Sequence, residues 1–172
     1  MNNLEQHIEA STTEQKIWSI LATVVDPEVP ALTVLDLGIV RDVKANSDDI
    51  EIIITPTYTG CPAMDMIDMN IRLALAEQGY KQVKVTSVLS PAWTTDWMTE
   101  AGKEKLKQYG IAPPNPKQQV CSDQLFAPNE AVQCPHCNSF HTHRISEFGS
   151  TACKALYQCD DCKEPFDYFK CH

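Results

Sequence analysis

The sequence predicts an α+β domain, a small mixed three-stranded sheet with packed helices, followed by a separate module built around cysteines. Two observations carry that expectation. Between residues 11 and 89 the apolar periodicity runs helix, strand, strand, helix, strand. Further on, Cys134-Pro135-His136-Cys137 and Cys159-Asp160-Asp161-Cys162 stand 21 residues apart. A chain of 172 residues suits one ordinary domain plus a small metal-stabilised one, and 43% hydrophobic residues suffice for a core in the larger part.

The first helix is expected over 11–25. Ser11 and Glu14 have capping-box spacing, and Ile17, Ile20, Leu21 and Val24 form one apolar stripe. Asp26-Pro27 ends it, because the residue before proline is pushed out of the α region. A proline-punctuated loop to Pro30 follows. Strands are expected over 39–44 and from Ile50 to Thr55, with a turn at Asn46-Ser47-Asp48-Asp49 between them. The segment Pro56 to Pro62 leads into a helix reaching about Gln78, with Met64, Ile67, Ile71 and Ala74 as its buried stripe and Gly79 as its stop. Gln82 to Leu89 places Val83, Val85, Ser87 and Leu89 on one face and reads as a strand, completing a strand–helix–strand crossover. Trp93 to Tyr109 reads as a third helix, capped near Thr95 or Asp96 and stopped by Gly110, although Gly102 interrupts it. Ile111 to Pro116 reads as a stiff linker. The expected layout is a domain over 1–110, a proline-rich linker over 111–129 and the cysteine module over 130–172.

Each Cys-x-x-Cys pair can curl into a tight turn that aims two sulfurs at one point. Cys134, Cys137, Cys159 and Cys162 would then surround one tetrahedral ion, the usual form of a structural zinc site and of a zinc ribbon. Four thiolates also hold iron or an iron–sulfur cluster, and Cys153 and Cys171 lie nearby in sequence as further sulfurs. His136, His141 and His143 are alternative ligands that four well-spaced cysteines make unnecessary. The chain shows no N-terminal apolar run, so a reducing, cytoplasmic setting is expected, where eight cysteines serve as metal ligands or reactive thiols.

The net charge is −9. Residues 1–118 carry 10 Lys and Arg against 16 Asp and Glu, and 119–172 carry 4 against 7. Both parts are acidic and neither has a basic stripe, which argues against a nucleic-acid partner. No apolar run is long enough to suggest a membrane partner.

Cys61 is the candidate active group. Pro62 favours the first helical position, which puts Cys61 at the N-cap, where the helix dipole and free N–H groups stabilise a thiolate. Gly60 lets the backbone turn and leaves the sulfur approachable. Asp65 and Asp68 oppose this with negative charge close by. The plain alternative is a cysteine that fills space at a helix start. His7 is the one histidine outside the cysteine module, so a Cys–His hydrolase is not expected. An isolated thiol suits a soft metal or cluster held with a partner's help. Asp26, Glu28 and Asp36 are candidate loop residues whose plainer role is in caps and turns. Thr55, Thr57, Tyr58 and Thr59 can bond a ligand or satisfy their own turn. Trp93 and Trp97 can pack on the sheet or anchor a partner.

These residues carry a resemblance. Asp26-Pro27-Glu28-Val29-Pro30, Asp36-Leu37-Gly38-Ile39-Val40 and Thr55-Pro56-Thr57-Tyr58-Thr59-Gly60-Cys61-Pro62 are similar to the iron–sulfur cluster assembly domain family. Pro91-Ala92-Trp93-Thr94-Thr95-Asp96-Trp97, the proline linker, Phe148 to Tyr157 and Glu164 to Lys170 resemble a narrower branch, the PaaD family of phenylacetate degradation. The likeness runs from about residue 13 to the end.

The resemblance implies a role around a multicomponent oxygenase that converts phenylacetyl-CoA to its ring epoxide. That enzyme has a di-iron catalytic component and a reductase carrying a flavin and an iron–sulfur cluster. The chain lacks the paired Glu-x-x-His motifs of di-iron helices and the Gly-rich dinucleotide fingerprint, so an accessory protein is expected and not the catalyst. The implied role is assembly or delivery of an iron–sulfur cluster, the reductase being the favoured recipient. Cys61 would be its transient ligand, and the loop of Asp26 and Glu28 and the turn of Thr55, Thr57 and Gly60 would shape the pocket. One competing reading is a structural component of the oxygenase complex, docking through the ribbon and the tryptophan segment. Another is a redox protein with iron in the four-cysteine site. An exposed strand edge leaves a homodimer open.

Overall fold

The computed structural model describes residues 12–46, 49–114 and 132–170. The Ser11 cap, the middle of the 46–49 turn, His7, Cys121, Cys171 and most of the proline-rich stretch lie outside the described residues. The chain divides into two units, Met1–Thr99 and Glu100–His172.

The first unit runs α1 (Thr12–Leu21), β1 (Val40–Asn46), β2 (Asp49–Ile54), α2 (Ala63–Glu77) and β3 (Gln82–Ser87). Its sheet has the order β1-β2-β3, with β1 and β2 antiparallel and β2 and β3 parallel across α2. This is the mixed three-stranded sheet that the periodicity predicts. Ile50, Ile52 and Ile54 alternate onto one buried face of the central strand. Ala63, Ile67, Ile71 and Leu75 are the buried face of α2. The ends of that stripe differ from the expected Met64 and Ala74, because a face running through Ile67 and Ile71 continues at four-residue steps. Ile17 and Leu21 of α1, fully buried, complete the core. Each such side chain contributes about 1.5–3 kcal/mol on burial.

The expected helix from Trp93 to Tyr109 is two pieces. Thr95–Trp97 is a single 3-10 turn, and α3 covers Glu100–Gln108. Between them the backbone is extended at Met98, which is buried. The amide of Thr99 donates to the carbonyl of Asp36 (2.9 Å). A continuous helix would need that amide for itself. The unit boundary falls directly after Thr99.

The second unit holds α3, β4 (Ile111–Ala112), β5 (Thr142–Ser146), β6 (Lys154–Cys159) and β7 (Pro165–Phe169), in a sheet of order β4-β7-β6-β5. The strands pair antiparallel except for β4, which lies parallel to β7. Ile111 and Ala112 are therefore sheet residues, not linker, and both are buried. The described core of this unit includes a cluster of Ala112, Val132, Cys134, Ala155, Tyr157, Cys159, Phe166 and Tyr168, with Cys162 against it, and Leu106, Ile111, Cys153 and Phe169 are buried as well. Tyr157 stacks on Phe166 at 6.0 Å and meets Tyr168 edge-on at 5.6 Å. Lys154 is buried, its Nζ 3.8 Å from the Asp167 carboxylate, which also accepts the Ser150 hydroxyl.

One contact in the first unit fixes its C-terminal strap. Gly38 has φ +67°, and a Cβ placed there would sit 2.1 Å from the backbone oxygen of Trp97. Gly79 has φ +90° but open space around it. Gly79→Ala should cost only the left-handed backbone penalty of about 1–2 kcal/mol. Gly38→Ala should cost about 1–3 kcal/mol more, because backbone must move. Denaturant midpoints of the two variants check this.

Candidate functional site

Two places bring chemistry-bearing residues together, one in each unit. In the second, the cysteine pairs sit on two turns of the same construction. In the first turn the amide of Cys134 donates to Ser139 O (2.8 Å) and the amide of Asn138 to Cys134 O (2.9 Å). In the second, Cys159 donates to Glu164 O (3.0 Å) and Lys163 to Cys159 O (3.0 Å). Asn138 and Lys163 both take the left-handed conformation, φ 63° and 66°. Gln133 and Gln158, each preceding the first cysteine, cap the turn at the carbonyls of Asn138 and Lys163, both at 3.1 Å. The repeated Gln-Cys-x-x-Cys was legible in the sequence and is the one signal of this symmetry that a reading of spacing alone passes over.

The turns converge. The sulfurs of Cys134, Cys137, Cys159 and Cys162 all lie within 4.8 Å of one another. Cys134 and Cys162 are 3.8 Å apart, and Cys137 and Cys159 3.5 Å. A tetrahedron with metal–sulfur arms of about 2.3 Å has edges of about 3.8 Å, so the four sulfurs fit one ion. They are far too distant for disulfides, whose sulfurs lie about 2.05 Å apart. Cys134 and Cys159 are buried, and Cys137 faces out.

The protons of this cluster are shared unequally. The backbone N–H of Cys162, helped by that of Asp161, brings the Cys159 thiol to about 7 against desolvation. The N–H of Glu164 favours the Cys162 thiolate, but desolvation and the neighbouring sulfurs outweigh it and push that thiol up to about 12. Ser139's backbone likewise lowers Cys137, and desolvation with the thiols of Cys159 and Cys134 raises it more. Four thiolates cannot coexist here without a cation, and a divalent ion would displace the protons outright.

The histidines stand outside this set. His141 Nδ1 is 3.3 Å from Asp161 and His143 Nδ1 is 3.0 Å from Asp160. The Ser139 hydroxyl, then His141, holds the Asp161 carboxyl below its usual range. Cys153 is buried with its sulfur 3.0 Å from the Thr151 hydroxyl, and it is not one of the four.

In the first unit the loop carboxylates organise their own turns. Asp26 Oδ1 accepts the amides of Glu28 (2.8 Å) and Val29 (2.7 Å). Asp36 Oδ2 accepts the amide (2.9 Å) and hydroxyl (2.8 Å) of Thr33, and its Oδ1 the hydroxyl of Thr99 (3.3 Å). Trp93 is buried and donates its indole N–H to Leu37 O (2.9 Å), so it is committed to the fold. Trp97 is half-buried under the Arg41 guanidinium, 3.4 Å from its ring centroid. Of the two tryptophans, only Trp97 offers surface to a partner.

Cys61 is half-buried in the turn between β2 and α2. The helix cap is Pro62, so Cys61 precedes the N-cap by one residue instead of occupying it. The turn closes with the Cys61 amide on Tyr58 O (3.3 Å), and the Cys61 carbonyl accepts from Met64 (3.3 Å). No side chain caps the helix start. Gly60 has φ +82° and open space where a side chain would stand. Asp68, a charge expected to weigh on Cys61, is paired with Arg72. Thr55, which opens this turn, is 1% exposed, and its hydroxyl has no hydrogen-bond partner among the described residues. Thr57 is half-buried and Gly60 exposed.

Comparisons with known proteins match both units. A family model described as iron–sulfur cluster assembly protein matches residues 14–89, and one described as PaaD zinc beta ribbon domain matches 118–170. An Escherichia coli protein described provisionally as one of the subunits of 1,2-phenylacetyl-CoA epoxidase is 53% identical over 156 residues, 91% of this chain and 92% of that one. An Fe-S protein maturation auxiliary factor of Porphyromonas gingivalis is 36% identical over 102 residues, 58% of this chain and 91% of that one. The crystal structure of a domain of unknown function from Bacillus anthracis is 29% identical, with a TM-score of 0.51 over 54% of this chain and 90% of that one. With both domains in one chain and a 53% identical relative matched over nearly its whole length, the chain belongs to the PaaD family, an iron–sulfur cluster assembly domain followed by a zinc ribbon.

Proposed function

We propose that this chain is an accessory maturation factor of a cytoplasmic phenylacetyl-CoA epoxidase, assisting assembly or delivery of an iron–sulfur cluster to its reductase component. The observation that carries this reading is Cys61. It is the one cysteine of the first 99 residues, it sits in the segment that matches the assembly family, and it is only partly buried. A single protein thiol leaves the other positions on a cluster's iron exchangeable, which suits a cargo that must move on. The loop carboxylates shape the region by fixing turns, and Thr55 adds a buried hydroxyl with no partner among the described residues, an arrangement that costs about 1–3 kcal/mol.

Zinc is the ion we assign to Cys134, Cys137, Cys159 and Cys162. Four sulfurs fill its coordination sphere, so it supplies structure and no reacting position. The apolar cluster around the sulfurs is small, and a bound ion would add to its stability. A second reading, a non-catalytic component that docks within the epoxidase, draws on the description of the Escherichia coli relative as one of that enzyme's subunits. Stable co-purification with the epoxidase and indifference to Cys61 would favour it.

Cys61→Ser should keep stability within about 0.5 kcal/mol, as for other partly exposed sites. It should abolish growth on phenylacetate when it replaces the wild-type copy; normal growth would remove the transfer role. Thr55→Val should match or exceed the wild-type thermal midpoint while lowering cluster transfer to the reductase, and a lower midpoint would assign the hydroxyl to the fold. Cys134→Ser should lose zinc by elemental analysis and melt the second unit, since metal binding and folding are coupled. Retention of full zinc and native stability would refute the ligand assignment.

A further inference from the structure

Helix α2 is apolar on two faces, and the core uses only one. Ala63, Ile67, Ile71 and Leu75 are buried. Away from them, Pro62, Met66, Met69, Leu73 and Ala76 are all exposed. The three largest are 48%, 62% and 57% accessible. Their steps along the sequence are 4, 3, 4 and 3, the spacing of a heptad seam made to lie along another apolar ridge. A continuous exposed stripe of this kind marks an interaction surface, and methionines let it adapt to the surface it meets.

The charges beside the stripe select its occupant. Asp65 and Glu77 are exposed and form no ion pair among the described residues. Arg72, the one cation of the helix, is spent inside the unit, on Asp68 and on the carbonyl of Val83. The seam is therefore rimmed by free negative charge, on a chain of net charge −9. A second copy would bring carboxylates against carboxylates. A partner with an apolar ridge flanked by Lys or Arg is complementary. Fifteen residues of helix are about 22 Å long, and one helix face falls short of the roughly 1,200 Å² of a stable interface. The contact is transient, as a delivery step requires.

We propose that this stripe seats the client protein, through an apolar ridge with a basic rim, and aligns the client's acceptor site with Cys61, the residue next to Pro62. The inference rests on the transfer reading above and names its docking surface. The test uses the full-length protein and the purified apo reductase component as probe. Wild type should bind it, more weakly as ionic strength rises. Met69→Glu and Leu73→Glu should each weaken binding roughly tenfold or more with thermal midpoint and zinc content unchanged, and Asp65→Lys should weaken it too. No binding by wild type, or wild-type affinity in Met69→Glu, overturns the proposal. So does a wild-type dimer in sedimentation that Met69→Glu converts to monomer, which assigns the stripe to a second copy. Cys61→Ser separates the two ideas. It should bind with unchanged affinity and transfer nothing; transfer at the wild-type rate would defeat the Cys61 reading and leave the docking result standing.

Discussion

The convergence of four sulfurs on one point is the constraint around which the second unit is arranged. It is built twice by the same local device: a glutamine that caps, a cysteine whose carbonyl closes the turn, and a residue in the left-handed conformation four positions on. Neither turn buries much apolar surface. Joined through an ion, they would clamp the β6–β7 hairpin and the Tyr157 cluster together. A site closed by four protein ligands has no position for a substrate. The other unit carries one thiol, Cys61, on which the proposed function rests.

The first unit treats its polar residues in two ways. Asp26, Asp36 and Trp93 are consumed by the fold, each giving its hydrogen-bonding capacity to a neighbouring turn or strap. The Thr55 hydroxyl has no partner among the described residues, and Gly60 and Cys61 stand further along the same β2–α2 connection. That contrast separates scaffold from site better than residue type does, because Asp26 and Cys61 come from equally distinctive motifs. The Gly38–Trp97 approach explains why the strap motif accompanies the loop motif: the strap's backbone packs where a side chain would otherwise stand.

Much of this was legible in the chain. Alternating isoleucines set β2, the four-residue steps of Ile67 and Ile71 set α2, and paired cysteines at fixed spacing set the ribbon. These are local patterns, and local patterns survive into the fold. Each misplaced boundary has its own physical cause. The helix expected from Trp93 to Tyr109 breaks at Met98 and Thr99 because Asp36, far away in sequence, takes the Thr99 amide. The residues Ile111 and Ala112 leave the proline stretch to pair with β7. The N-cap moved from Cys61 to Pro62 because the preceding turn closes on Tyr58 O before the helix begins.

The sequence by itself determined the mixed sheet, the four ligands and the singular thiol, since each is encoded by residue type at short spacing. Only the tertiary structure decided which of the marked residues remain at liberty. Among the described residues, the burial of Trp93, the capture of Asp36 by Thr33 and Thr99, the unpaired hydroxyl of Thr55 and the exposed second stripe of α2 all depend on what packs nearby. A helix with apolar residues on two faces gives the sequence no means of saying which face goes inward. Packing against β3 and against the Ile17 and Leu21 side of α1 makes that choice.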